Sequence, residues 1–195
     1  MKHAHAIVGV LLLGFVATTA HAQGVLGIKA GPSYGNVSNQ GLLPGALKHR
    51  SGFAAGIALT PPAGSILGLG VEALYAQRGV RSDTPGDSRL LNYADVPLYV
   101  RASIPTPTVA PFAYAGPQIS FEMSCRTGLG DCPPSDRPKR TYAGVLGAGV
   151  RIGARRAFTV EGRYLYGLTD LKLNTVTSSE SYKTRSFLML AGFAF

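Results

Sequence analysis

The chain has little of several residue types on which common protein classes depend. Charged residues make up 15% of the 195 positions, well below the roughly 25% of an average soluble domain, whereas glycine contributes 25 residues. Beyond residue 22, no apolar run approaches the length of about 18 residues that a membrane-spanning helix needs. This composition excludes a helical membrane protein, and it suits strands that face lipid on one side and a crowded interior on the other.

Histidine is also scarce, which limits catalysis and metal binding. Three of the four histidines lie in the first 22 residues, so His49, in a predicted external loop, is the only imidazole left beyond them. A Ser-His-Asp site or a His-rich metal centre has too few residues to build on. Carboxylates such as Glu72 and Glu161 are used in acid/base catalysis, but ion pairing is the simpler interpretation of them. We therefore expect no enzyme, no catalytic residues, no cofactor and no metal site.

The first 22 residues have the pattern of a secretory signal peptide. Lys2 provides a positive start, Ala6 to Val16 form an apolar run, and Ala20-His21-Ala22 matches an A-x-A cleavage site. The apolar run is too short to cross a bilayer as a helix, which needs about 20 residues. We predict a signal peptide at 1–22 and one domain at 23–195. An amphipathic first element of the fold is the alternative.

Charge and cysteine content describe an exported protein. The net charge is +9, and the Lys and Arg residues are scattered rather than clustered, which favours anionic lipid head groups over nucleic acid as partners. Cys125 and Cys132 bound the segment CRTGLGDC, and an oxidising compartment favours a local disulfide between them. Free thiols are the alternative, and a zinc site is weaker because further ligands are missing.

Eight segments with strand-like patterns follow the signal. They are Val25 to Val37, Gly52 to Thr60, Ile66 to Arg78, Leu91 to Ile104, Ala110 to Ser124, Thr141 to Ile152, Phe158 to Leu168 and Tyr182 to Phe195. In the seventh, Phe158, Val160 and Tyr164 alternate with Thr159, Glu161 and Arg163, which is the period of a strand. Each segment is long enough to cross a membrane as a tilted strand of about 10 residues. We predict an all-β, eight-stranded, antiparallel up-and-down transmembrane barrel.

The connections between these segments alternate in length, as in outer-membrane barrels. The long ones are Ser38 to Ser51, Gly79 to Leu90, Cys125 to Arg140 and Thr169 to Ser181, and the short ones are Pro61 to Ser65, Pro105 to Val109 and Gly153 to Ala157. This places both termini in the periplasm and the four long loops outside. Pro32, Pro97 and Pro117 argue against a closed barrel because proline removes a ladder donor, so we expect bulges or strand ends there.

In each predicted strand, the more apolar set of alternate residues is expected to face lipid. The other set places charged residues inside the predicted barrel. These residues are Lys29, Glu72, Arg78, Asp95, Arg101, Glu122, Arg151, Glu161 and Arg163. Because unpaired buried ions are costly, we expect a paired network that fills the lumen of so small a barrel. A narrow path for ions or protons is the alternative.

Several segments in order resemble a known family. GIKAGPSYGNVS, VEALYAQRGV, LNYADVPLYVRASIP, PFAYAGPQISF and GAGVRIGARRAFTVEGRYLYGLTDL are similar to outer-membrane β-barrel proteins of the porin-family or PorT-like group, and more broadly to small barrels of the OmpA and OmpX kind. The chain ends in Gly192-Phe193-Ala194-Phe195, which resembles the terminal aromatic signal that the barrel-assembly machinery reads, with Phe193 and Phe195 as its aromatics. The resemblance implies an outer-membrane address, reached through the periplasm, and a fold, but no activity.

Four functional hypotheses follow. The leading one is a non-enzymatic outer-membrane barrel with a role in envelope structure or surface interaction, whose external loops meet a ligand or protein while its wall contacts outer-membrane lipids. The others are a narrow channel for ions or small solutes, a lipid-modifying enzyme with polar loop residues of which His49 and Asp131 are the best candidates, and a soluble lipocalin-like carrier. The external loops are equally consistent with simple solvated connectors.

Overall fold

The computed structural model describes residues 24–37, 48–81, 89–127, 130–132, 139–153, 156–175 and 178–195. Its strands are β1 Val25–Val37, β2 Lys48–Thr60, β3 Leu67–Arg81, β4 Arg89–Ser103, β5 Val109–Thr127, β6 Gly130–Asp131, β7 Arg140–Ile152, β8 Ala157–Thr175 and β9 Ser178–Ala194. Over these ranges, no helix is long and apolar enough to cross a membrane. The predicted signal peptide at 1–22 lies outside the described residues.

The strands close into a ring. Hydrogen-bonded neighbours follow the order β4-β3-β2-β1-β9-β8-β7-β5, and β4 also pairs with β5, so the described strands leave no open edge around the wall. Every pairing is antiparallel. The two-residue β6 pairs only with the end of β5 and is not part of the wall. The predicted closed, eight-stranded, up-and-down barrel is therefore confirmed, and ring closure satisfies the backbone within lipid.

The strand register shows how strongly the strands are staggered. Hydrogen-bonded partners followed in one direction from Lys29 lead to Ser120 on β5. Followed in the other direction, they lead to Ala110 on the same strand. The two end points differ by ten residues (120 − 110 = 10), which is the shear of the barrel. With eight strands, this stagger requires tilted strands and leaves an interior only wide enough for side chains.

Alternation along each strand separates a lipid-facing surface from the lumen. On β8, Phe158 and Val160 are at least half exposed, whereas Glu161 and Arg163 are buried. The exposed apolar side chains continue around the wall on every long strand and form the surface that a bilayer covers. The period-2 pattern that predicted the strands thus also determines which residues meet inside.

The prolines behave differently from the expectation. Pro32, Pro97 and Pro117 lie inside β1, β4 and β5, not at strand ends or at the register shifts of the sheet. Each keeps a register partner on one neighbouring strand, while the pairing on its other side is interrupted and then resumes in the same register. The expectation of bulges was wrong because a proline lacks only one donor, directed to one neighbour, so the ring loses a local rung and keeps its register.

Glycines accompany two of these prolines. A Cβ on Gly31 would clash with the carbonyl oxygen of Met189, and a Cβ on Gly116 would clash with that of Leu98. The neighbouring backbones therefore approach closely where the Gly-Pro pairs interrupt the ladder. At these positions the absence of a side chain, rather than turn formation, explains the glycine.

The strands extend farther on the long-loop side than predicted. Pairing of β8 with β9 continues from Asp170 and Lys183 to Thr175 and Ser178, so most of the predicted loop at 169–181 is a two-stranded ribbon. The predicted strands ended where the alternation of apolar residues stopped. A ribbon in water has no face that must contact lipid, so it can continue without that alternation. The predicted loop at 38–51 is also shorter, because β2 begins at Lys48.

Candidate functional site: the charged lumen

The lumen contains the nine charged residues that the strand parity directs inward. Seven are buried, and Arg78 and Glu122 are partly buried. The buried seven are Lys29, Glu72, Asp95, Arg101, Arg151, Glu161 and Arg163. Six of the eight wall strands contribute to the set, so the ring closure itself brings distant parts of the chain together.

Four of these residues form one central network. Lys29 Nζ lies 2.7 Å from Glu72 Oε1 and 2.8 Å from Glu161 Oε2. Arg163 Nη2 lies 2.5 Å from Glu72 Oε2 and 2.9 Å from Glu161 Oε1. Each cation thus bridges both carboxylates, and the two positive and two negative charges cancel. We call these four residues the central network.

Two tyrosines add hydrogen bonds to the central network. The Tyr99 hydroxyl donates to Glu72 Oε1 at 2.7 Å, and the Tyr114 hydroxyl donates to Glu161 Oε1 at 2.9 Å. Tyr114 also accepts a hydrogen bond from Arg163 Nε at 2.8 Å. The sequence analysis missed both tyrosines. Their positions along the strands could have revealed them, since Tyr99 falls on the same set of alternate residues as the inward-directed residues of β4.

Glycines provide the space that these long side chains occupy. A Cβ on Gly70 would clash with the Tyr99 ring, and a Cβ on Gly147 would clash with the Tyr114 ring. A Cβ on Gly192 would lie 2.8 Å from Lys29 Cγ. Glycine is therefore a packing requirement at these positions of the lumen wall, because it allows large polar side chains to fill a narrow ring.

An apolar layer separates the central network from a second ion pair. Along β3, Leu74 and Ala76 lie between Glu72 and Arg78, and both are buried. They belong to a buried cluster that also contains Val145, Leu165, Leu188 and Leu190. Beyond this layer, Arg78 forms an ion pair with Asp95. On the β3 side of the lumen, a charged level is therefore followed by an apolar level and then by a second charged level.

The second ion pair has an aromatic neighbour. The Arg78 guanidinium lies 5.3 Å from the centroid of the Tyr93 ring, and Tyr93 is itself buried. Glu122 is the register partner of Tyr93 on β5. Gln118 and Ser120 are buried polar residues of β5, and Ser120 is the register partner of Asp95.

Both carboxylates of the central network are fully paired with donors. Each oxygen of Glu72 and Glu161 is within 3 Å of at least one nitrogen or hydroxyl donor. Removing one partner of such a buried pair typically costs about 3 to 5 kcal/mol, because an uncompensated charge stays buried.

A metal site requires several His, Cys, Asp or Glu side chains close together. Among the described residues, no three His, Cys, Asp or Glu side chains lie close enough together to hold a metal ion. His49, expected in a loop, lies in β2 opposite Val80. Its predicted loop position was wrong because β2 begins at Lys48, before the apolar alternation from Gly52 onward that was used to predict the start of the strand.

The two cysteines form a disulfide on the long-loop side. Cys125, near the end of β5, is bonded to Cys132, just after β6, with their Cα atoms 5.4 Å apart. Two register pairs, one of them Arg126 with Asp131, connect the strands of this hairpin. The Arg126 and Asp131 side chains are 3.8 Å apart and largely exposed, so their ion pair contributes little stability. The disulfide is therefore the main constraint on this hairpin.

The last residues of the chain complete the ring. The Phe195 backbone N–H donates to the Leu26 carbonyl at 2.9 Å, which connects the end of the chain to β1. Phe193 packs edge-on against Phe158, with ring centroids 5.5 Å apart, and against Phe195 at 5.3 Å. Phe195 is 61% exposed on the lipid-facing surface. The terminal aromatics are thus part of the wall beside the strand where the ring closes.

Comparisons with known proteins agree with this architecture. A family model described as "Outer membrane protein beta-barrel domain" matches residues 22–173. Among solved structures, outer membrane protein AlkL in lipid bilayers is similar at 15% identity, over 89% of this chain and 91% of that one, with a TM-score of 0.54. OprG from Pseudomonas aeruginosa is similar at 10% identity, over 90% and 97%, with a TM-score of 0.51.

A third similar structure is Neisserial surface protein A, at 14% identity over 87% of this chain and 97% of that one, with a TM-score of 0.51. At identities this low, the three structures share a fold with this chain and establish no common activity. None of the curated proteins compared matches the chain.

Proposed function

The chain belongs to the outer membrane protein β-barrel domain family, and on that premise we propose that it is a non-enzymatic integral barrel that supports envelope structure or surface interaction through its external segments. Its outer-membrane location follows from the family. The narrower PorT-like assignment is part of the proposal. Its partners would be outer-membrane lipids along the wall, and a ligand or protein at the external segments.

The filled lumen is the observation on which this proposal depends. Glu72 and Arg163 are among the most buried side chains of the protein, and both are bonded within the central network. Leu74 and Leu188 belong to the apolar layer next to that network. A solute that crossed the barrel would have to break buried ion pairs and displace packed apolar side chains, at a cost of several kcal/mol. This leaves the outer surface as the part of the molecule that is available for a function.

The long-loop side offers two extended elements for such a function. The β8–β9 ribbon continues past the last β7–β8 register pair, Ala143 with Gly167, as far as the pair of Thr175 with Ser178. The disulfide between Cys125 and Cys132 closes the second hairpin. Hairpins held by pairing and a disulfide lose less conformational entropy on binding than flexible loops do, which favours recognition by a partner.

Single-channel recording tests the choice between a surface role and a channel. Purified, refolded protein inserted in planar bilayers should give no steady conductance steps above the lipid background. Steady openings would support the narrow-channel alternative and contradict the proposal. Protease treatment of intact cells should cleave the β8–β9 ribbon from outside, whereas complete protection of the ribbon would argue against a surface role.

A lipid-modifying activity is the remaining alternative, and it has a direct test. His49 lies on β2 and Asp131 on the β5–β6 hairpin, and Asp131 is already close to Arg126. We expect that His49→Ala and Asp131→Ala leave the lipid composition of the outer membrane unchanged. The non-enzymatic assignment would be overturned if the unsubstituted protein altered the acyl-chain composition and either substitution abolished that effect.

Export and assembly are the last part of the proposal. Residues 1–22 would direct secretion, so N-terminal sequencing of the membrane form should begin at Gln23. Phe193 and Phe195 would be read by the barrel-assembly machinery, since they are aromatic and lie at the end of the last strand. Phe195→Ala should slow assembly in cells, whereas refolding of the purified variant in detergent should stay efficient.

A further inference from the structure

A groove crosses the lipid-facing wall where β1 and β9 meet. It holds a volume of about 380 Å³ and is lined almost entirely by apolar atoms. Ile28 and Phe158, which line it, are more than half exposed, so the groove opens on the outer surface of the barrel. We call it the seam groove. Its apolar side chains come from β1, β2, β8 and β9 and are Ile28, Ala30, Ala55, Phe158, Ala191 and Phe193.

Small residues form the floor of the seam groove. Ala30 on β1 is the register partner of Ala55 on β2 and of Ala191 on β9, so three alanines lie side by side across three strands. Since neighbouring strands are about 4.8 Å apart, this floor is about 10 Å wide. The wall is therefore indented here because large side chains are missing from one row.

Large side chains flank the alanine floor on both sides. Two residues toward the short turns, Ile28 is the register partner of Phe193, and Phe193 is that of Phe158. The Phe158 and Phe193 rings pack edge-on with their centroids 5.5 Å apart. Two residues in the other direction, Pro32 is the register partner of Phe53, which is 49% exposed. The alternation of bulky and small rows thus produces a groove rather than a flat surface.

The seam groove presents carbon atoms rather than polar groups to a ligand. Lys29 also borders it, but the Lys29 ammonium group lies on the lumen side, 2.7 Å from Glu72 Oε1. Both β1 and β9 are hydrogen-bonded to a strand on each side, so no backbone edge is open to an added peptide strand. These features favour a hydrocarbon chain over a peptide or a polar head group.

A bilayer lipid is the occupant that the surroundings of the groove favour. The family is one of outer membrane barrels, and the exposed apolar wall that continues on both sides of the groove is the surface that a bilayer covers. A second copy of the chain is a poorer match, because a two-fold contact through this face would set one groove against the other and leave both unfilled. The volume of about 380 Å³ is within the range of about 300 to 1,000 Å³ found for ligand pockets.

The groove also lies beside an interruption of the ladder that closes the ring. Pairing of β1 with β9 stops after Ala30 with Ala191 and resumes at Ser33 with Leu188. A hydrocarbon chain in the groove contacts both strands next to this gap, and its dispersion contacts add to the packing of the seam.

We propose that the seam groove binds one acyl chain of a membrane phospholipid in a fixed position. This assignment rests on the lipid contacts of the wall in the proposed function, and it does not depend on what the external segments bind. Its failure would leave the surface role standing, because single-channel recording and protease treatment address that role separately.

Native mass spectrometry counts the bound lipids directly. The full mature chain, purified in a non-ionic detergent, is titrated with palmitoyl-oleoyl-phosphatidylethanolamine. The first lipid should bind about tenfold more tightly than the second, which corresponds to about ten additional carbon contacts in the groove. Equal affinities for the first and the second lipid would overturn the proposal.

Filling the floor of the groove should remove the tight site. Ala30→Leu with Ala191→Leu places two large side chains where the acyl chain lies, so the first lipid should bind no more tightly than the second. Ala102→Leu with Ala113→Leu is the matched control, since these exposed alanines are register partners on β4 and β5 and do not line the groove. The control should keep the tenfold difference.

Opening one edge of the groove should weaken binding as well. Phe158→Ala removes a ring that lines the groove, whereas the control Leu146→Ala removes a side chain that is 60% exposed elsewhere on the wall. If lipid adhered merely in proportion to exposed apolar surface, the leucine variant would bind more lipid and Phe158→Ala less. A lipid held in the groove is lost in both.

The folded state of each variant is checked by heat-modifiable gel mobility. The proposal is overturned if the folded leucine variant or the folded Phe158→Ala protein keeps the affinity of the unsubstituted chain for the first lipid. It is also overturned if the unsubstituted protein has the mass of a dimer that the leucine variant loses, because the groove would then hold a second copy of the chain.

Discussion

Replacement of Arg163 by methionine is the sharpest test of the central network. The Arg163 side chain is 1% exposed, and it contacts Glu72 at 2.5 Å, Glu161 at 2.9 Å and Tyr114 at 2.8 Å. Methionine fills much of the same volume but removes the charge, so two buried carboxylates share Lys29 alone. By the usual cost of breaking a buried ion pair, the free energy of unfolding should fall by about 3 to 5 kcal/mol.

Urea unfolding in lipid vesicles measures this loss. Heat-modifiable gel mobility and far-UV circular dichroism both report the folded fraction, and linear extrapolation gives the free energy of unfolding. With urea slopes of about 1 to 3 kcal/mol per molar, the midpoint should drop by at least about 1 M. Arg185→Met is the matched control. Arg185 is an exposed arginine 5.7 Å from the Tyr166 ring centroid, so its replacement should cost less than about 1 kcal/mol.

A double substitution separates lost charge balance from lost packing. In Glu161→Gln with Arg163→Met, one negative charge is removed together with one positive charge, so part of the lost stability should return, with a coupling of about 0.5 to 3 kcal/mol. If Arg163→Met alone were as stable as the Arg185→Met control, the network would not be a stabilising element. The explanation of the filled lumen would then be refuted.

Three further predictions concern the wall, the packing of the lumen and the external hairpin. Val160→Arg, on the lipid-facing parity, should lower the free energy of unfolding by about 2 to 4 kcal/mol if the residue lies near the bilayer midplane, and an unchanged urea midpoint would show that the face is misassigned. Gly147→Ala should cost about 1 to 3 kcal/mol because its Cβ meets a tyrosine ring, whereas Gly144→Ala, into open space, should be nearly neutral in the same assay. Cys125→Ser with Cys132→Ser should leave the gel mobility shift of the barrel intact and increase trypsin cleavage of the hairpin, and unchanged cleavage would contradict the constraint assigned to the disulfide.

The barrel was predictable from the sequence because lipid imposes a strict rule on each strand. On β8, every second residue from Phe158 to Leu168 except Gly162 is a large apolar or aromatic side chain, and a membrane wall requires that period. On β9, Leu188 and Leu190 obscure the alternation, since both are apolar yet buried. They fill the apolar layer of the lumen, which has no counterpart in a simple model of polar inside and apolar outside.

The partners within the network were not predictable, although the inward-directed set was. Lys29 and Glu161 are 132 residues apart in sequence, and their contact depends on the ten-residue stagger of the closed ring. That stagger results from the packing and pairing of all eight wall strands, which no single strand pattern reveals. Tyr99 and Tyr114 were missed because the inward-directed set was drawn from charged residues alone.

The ribbon of β8 and β9 was missed because its physical basis differs from that of the wall. Beyond Thr169, the described residues of β8 pair only with β9, and neither face of this ribbon has to meet lipid. Propensity and alternation then carry little information, whereas continuation of an existing hairpin ladder adds hydrogen bonds without a new turn. The sequence pattern that marks where a strand leaves the membrane therefore does not mark where the strand itself ends.

The most direct test of the account is a nitroxide scan along β8, residues 158–168, in lipid vesicles and with both native cysteines replaced by serine. Collision with oxygen, which concentrates in the bilayer, should be high at Phe158, Val160, Tyr164, Tyr166 and Leu168. It should be low at Thr159, Glu161, Arg163 and Leu165, which gives a period of two residues. A helical period, or equal accessibility at both parities, would contradict the lipid-facing wall and with it the filled lumen.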